Sequence, residues 1–199
     1  MRRLALALLG GLASATQSQA HAFQSGADAY GQFTEGFGIA LTDPPIVLVL
    51  IGSFITITLA HPRGFPRVVP FLAAGLLGGA LIAPVVPEAG VLATLTVALL
   101  AGLLGALHWS KGLAVLALLA GVSAAMTGLA GHTFTEVPLL LKIGLGMGCL
   151  LIAAISAALG AMALERFPHP ATAILLRVVS SWCAAISLMM MAFVMKGLM

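Results

Sequence analysis

Six apolar runs, each close to the length needed to cross a bilayer, constrain this chain more than anything else in it. They cover residues 44–60, 68–86, 90–107, 113–130, 137–163 and 172–195, with nearly all the charge in the short segments between. A hydrocarbon core about 30 Å thick takes about 20 apolar helical residues. A transmembrane barrel would show short alternating segments, and none occur. The chain is 61% hydrophobic and 8% charged, with a mean hydropathy of +1.14, too little charge to cover a soluble domain. The expected fold is an all-α membrane protein, a six-transmembrane-helix bundle whose main partner is the lipid bilayer. The net charge of +3 carries no basic cluster, so no nucleic-acid partner is expected. A homo-oligomer or a larger membrane complex is compatible with it.

Residues 1–20 have the form of a signal peptide: Arg2 and Arg3, the short apolar core LALALLGGLA, then SATQSQA. Cleavage after Ala20 or Ala22 satisfies the small-x-small rule, and the first makes His21 the new N-terminus. An uncleaved first helix is the alternative. Residues 21–43 form an extracytoplasmic lead with Asp28, Glu35 and Asp43. Within it GQFTEGFGIALTDPP suits a short interfacial helix stopped by Pro44 and Pro45. Residues 44–199 form the transmembrane domain.

With the mature N-terminus outside, the connectors after spans one, three and five face the cytoplasm. They hold Arg63, Arg67, Lys111 and Arg166, with Arg177 just inside span six. The outer segments hold Asp28, Glu35, Asp43, Glu88 and Glu136. This asymmetry obeys the positive-inside rule. A multi-pass protein of the bacterial inner membrane follows, with both mature termini extracytoplasmic. Small residues four apart, at Gly75/Gly79, Gly144/Gly148 and Ala153/Ala157, let helix backbones approach closely.

Residues 131–160 form the one stretch where polar chemistry meets an apolar helix. His132 and Glu136 are four apart, on one face if helical. Imidazole with carboxylate suits Ni²⁺, Zn²⁺ or Co²⁺, and His21 or Asp43 would complete the set. The plainer alternative is a solvated histidine and a helix-start glutamate favoured by the dipole. Lys142 and Arg177 are ionisable groups within apolar runs and so merit attention. Snorkelling is the simpler role for Lys142, and pairing with Glu136 the other. His61, His108 and His169 lie at the cytoplasmic edge, where capping is the expected role and a metal exit site the alternative. Met189, Met190 and Met191 point in three directions on a helix, so they are filler rather than a soft-metal site. Cys149 and Cys183 lie within spans without a CxxC spacing, which fits helix packing. The chain has no Ser/His/Asp set, HExxH, phosphate loop or CxxCH, and is not expected to be an enzyme.

SQAHAF followed by six spans, the Pro-x-Glu turn in residues 68–107, GHTFTEVP and RVVSSWCAAISLMMM together resemble the HupE/UreJ membrane proteins. That family accompanies hydrogenases and ureases and is regarded as nickel or cobalt permeases. The resemblance implies Ni²⁺ or Co²⁺ as the transported ion, with His132, Glu136, Asp43 and His21 as candidate ligands. His132, Glu136 and Pro138 match the family's GHxHGxExP loop. Ile39, Ala40, Asp43, Pro45 and Ile46 stand where its HPxxGxDH motif has His, Pro, Gly, Asp and His. The alternative function is therefore a non-transporting accessory or assembly protein that keeps the fold without the metal site. A third is an outward-facing metal chaperone or sensor using His21.

Overall fold

The computed structural model describes residues 28–82, 90–107, 112–130 and 138–196. Among them it is helical throughout, with no strand. The helices are α1 (Ala29–Thr42), α2 (Pro44–Ala60), α3 (Phe65–Ile82), α4 (Gly90–Ala106), α5 (Leu113–Ala130), α6 (Leu139–Arg166) and α7 (Pro170–Met195). The signal-peptide segment lies outside the described residues.

Among the described residues two helices are long and apolar enough to cross a membrane, α6 and α7. Their 28 and 26 residues give about 42 and 39 Å at 1.5 Å per residue. The pair α1 and α2 passes the same test when taken together, bent by 64° at the break between them. The other helices have 17 or 18 residues. Large apolar side chains face outward on every helix except α2, among them Leu77, Leu118, Leu159, Ile174 and Trp182. An outer surface of this kind belongs against lipid rather than water, and the chain is a membrane protein.

The centre of the bundle is α2. Its side chains are apolar on every side, the mark of a helix with no exposed face. Ile46, Val49, Leu50, Phe54 and Ile57 are fully buried. Around it lie Val68 and Leu72 of α3, Leu95 and Ala98 of α4, Ala120 and Ala124 of α5, and Cys149 and Ala153 of α6. Phe54 meets Phe65 edge to face, ring centroids 5.7 Å apart. On α7 the buried residues are Ser180, Cys183, Ala184, Ser187 and Met190, a stripe at three- and four-residue spacing on one face.

Glycine decides how close the other pairs come. Gly75 and Gly79 of α3 lie on the backbone at Gly121 and Ala125 of α5, so these two helices run in the same direction. Gly144 and Gly148 of α6 receive Phe33, Phe37 and Ala40 of α1, again in parallel. Gly52 of α2 adjoins Ala98 and Gly102 of α4, and Thr56, one turn on, bonds Ala101. Gly102 rests on Ser180 and Ala184 of α7, while Ala106 meets Arg177, so α4 and α7 are antiparallel. The expected contact residues Gly75/Gly79 and Gly144/Gly148 do pack helices, and Ala153 and Ala157 are buried beside them.

Helix limits shift slightly from expectation. α3 begins at Phe65, with Pro66 in its first turn where a missing N–H costs nothing. It continues through Pro70. α6 runs to Arg166 because no proline stops it before Pro168.

Candidate functional site

Asp43 is the one candidate ligand among the described residues, and it sits at the break between α1 and α2. Its N–H donates to the Ile39 carbonyl at 2.9 Å, closing α1, and its own carbonyl accepts from Val47 at 3.0 Å, opening α2. Pro44 and Pro45 follow and cannot donate, which ends one helix and starts the next. The Asp43 carboxylate makes no capping bond to α2. By contrast Asp28, at the start of α1, accepts from the Gly31 N–H at 2.8 Å.

The expected short helix therefore exists as α1, but it is not a free surface element. It packs along the first half of α6, with Gly36 against Leu141 and Leu145 and Ala40 against Gly148. Asp43 lies about one turn beyond Ala40, on the way towards the middle of α6. Lys142 is half-buried in the first turn of α6 and makes no side-chain bond among the described residues.

His21, His132 and Glu136 lie outside the described residues, as do His108 and Lys111. Among the described residues no three His, Cys, Asp or Glu side chains converge as a metal site would require. Apart from Asp43, the positions compared with the HPxxGxDH motif are packing positions here. Ile46 and Ala40 are fully buried in the core, Pro45 is buried, and Ile39 packs against them.

His169 caps α7, its Nδ1 accepting from the Ala171 N–H at 3.1 Å. His61 ends α2 and lines an open cleft of about 470 Å³ with Arg63, Arg67, Leu164 and Glu165. Arg63 Nε donates to Glu165 Oε1 at 2.9 Å. The methionines diverge as expected, with Met190 buried and Met189 exposed. Cys149 and Cys183 are buried and form no disulfide.

The apolar runs concealed a polar seam. Ser53 of α2 and Ser123 of α5 share a hydrogen bond of 2.6 Å, and both are fully buried. Thr56 donates to Ala101 of α4 as well as back to Gly52, each at 2.8 Å. Ser180 of α7 is fully buried, without a partner for its hydroxyl among the described residues. The Ser180 and Thr56 hydroxyls both point to the bare Cα of Gly105. Thr58, Thr94 and Ser187 return their hydroxyls to the carbonyl four residues earlier, the usual way to satisfy such groups in an apolar span. No sequence pattern separates the bridging hydroxyls from those that bond their own helix.

No protein-family model matches the chain, and neither a curated protein nor a solved structure matches it.

Proposed function

We propose that the chain is a six-span protein of the bacterial inner membrane that moves a divalent transition-metal ion, Ni²⁺ or Co²⁺, as the HupE/UreJ resemblance implies. The bent pair α1–α2 serves as span one, and α3 to α7 as the other five. The helix directions support this order. α2 and α4 share one direction, α3 and α5 share one, and α7 opposes α4, as strict alternation demands. The helices of 17 and 18 residues fit a slightly thinned bilayer.

The observation that carries the proposal is the break at Asp43. Transporters commonly build their ion sites where a spanning helix is interrupted, because freed backbone groups and a carboxylate can meet the ion there. A carboxylate at such a depth is costly and therefore a functional candidate. His132 and Glu136 capture the ion outside, with His21 assisting, and Asp43 receives it. Nickel and cobalt uptake by cells expressing wild type, Asp43→Ala and His132→Ala/Glu136→Ala tests this. Uptake no greater than in cells with empty vector would contradict it.

One observation favours the second reading, a non-transporting accessory protein. Ile46, where the family has a metal-binding histidine, is a fully buried core residue. That reading predicts vector-level uptake together with a stable, membrane-inserted protein.

A further inference from the structure

A cleft at the ends of α2 and α6 and the start of α3 lies at the opposite end of α2 from Asp43. It opens beside the His61–Gly64 turn, with Arg67 in the first turn of α3 and Leu164 and Glu165 in the last turn of α6. Its volume of about 470 Å³ exceeds that of a bare ion. Arg63 is engaged through Nε alone, and its side chain is still 89% exposed. Its terminal nitrogens, and the whole guanidinium of Arg67, make no hydrogen bond or ion pair among the described residues. Glu165 offsets one of the two positive charges and holds Arg63 at the rim. The apolar side of the cleft is the half-buried Leu164, and Phe167, just past the end of α6 and outside the cleft lining, is 64% exposed. Two free guanidinium edges beside Leu164, with the exposed Phe167 ring following at the end of α6, suit a phosphate that carries acyl chains.

We propose that this cleft binds the phosphate headgroup of an anionic phospholipid of the inner leaflet. Arg67 and the free edge of Arg63 hold the phosphodiester, and His61 lies within the same cleft. The acyl chains run past Leu164 and Phe167 along the outside of α6. A guanidinium presents paired donors that match phosphate oxygens, and basic pockets between helix ends on the cytoplasmic side are suited to lipid headgroups. The site rests on the six-span reading for its leaflet, but not on metal transport.

The test is native mass spectrometry of the purified full chain released from detergent, with phosphatidylglycerol or phosphatidylcholine as probe. Wild type is expected to retain phosphatidylglycerol in preference to phosphatidylcholine, and Arg63→Ala/Arg67→Ala to lose that preference by about tenfold. Glu165→Gln is expected to raise retention, since it removes the opposing charge while keeping the shape. Equal retention of both lipids by wild type would overturn the proposal, as would a double variant that retains phosphatidylglycerol like wild type. Displacement of the lipid by millimolar inorganic phosphate would also overturn it, in favour of a soluble anion. The substituted side chains are exposed, and unchanged far-ultraviolet circular dichroism checks their fold. Retention by a protein that moves no metal would leave this site standing while the permease reading fell.

Discussion

Arg177, inside the last apolar helix, donates its Nε to the carbonyl oxygen of Ala106 at 2.9 Å. Ala106 is the last residue of α4, where carbonyls have no partner within their own helix. The arginine caps a neighbouring helix end and also favours the negative end of its dipole. Its charge inside an apolar run is explained by packing rather than by an ion path. Arg177→Leu should lower thermal stability in detergent by about 1–2 kcal/mol. Arg177→Lys should recover part of that loss. A leucine variant as stable as wild type would show that the bond contributes nothing.

Gly105 is the tightest junction of the polar seam. A Cβ there would lie 2.6 Å from the Ser180 hydroxyl and closer still to that of Thr56. Gly105→Ala should therefore destabilise by about 1–3 kcal/mol through overpacking, despite alanine's better helix propensity. Gly78 and Gly146 have nothing within 4 Å of the same position, so alanine there should be neutral or stabilise by up to about 1 kcal/mol. Melting of the three variants side by side separates close packing from propensity. Equal effects at all three would contradict the arrangement.

Ser53 and Ser123 provide a pairwise test. Removing either hydroxyl leaves the other buried without its partner, at a cost of about 1 kcal/mol. The double variant Ser53→Ala/Ser123→Ala should cost less than the sum of the two single ones. A coupling energy of about 0.6 kcal/mol is typical of such pairs between membrane helices. Additive losses in the double-mutant cycle would mean that the two hydroxyls do not interact.

Some of this was legible in the chain and some was not. The apolar runs forecast most of the helices, and Pro44–Pro45 marked the break after Asp43. Gly75/Gly79 and Gly144/Gly148 do join helices, because a missing side chain has one main use inside an apolar span. The central place of α2 was not legible, since a helix apolar on every side shows no periodicity to say which face is buried. The packing of α1 against α6 left only a faint trace, in Gly36 opposite Leu141. Arg63–Glu165, Ser53–Ser123 and Arg177–Ala106 join residues far apart in sequence. Their partners are set by tertiary arrangement, so a residue's own neighbours carry no record of them. The stretch 131–160 drew attention through His132 and Glu136, whereas the described part of it acts as a docking groove for α1.

Metal uptake by purified protein in sealed proteoliposomes tests the proposed function most directly. Wild type should accumulate Ni²⁺ or Co²⁺ above protein-free vesicles, and Asp43→Ala should reduce that accumulation by about tenfold or more. Helicity and lipid incorporation of the variant should be unchanged, because Asp43 makes no side-chain capping bond. Accumulation by wild type equal to that of protein-free vesicles, or an Asp43→Ala protein as active as wild type, would contradict the proposal.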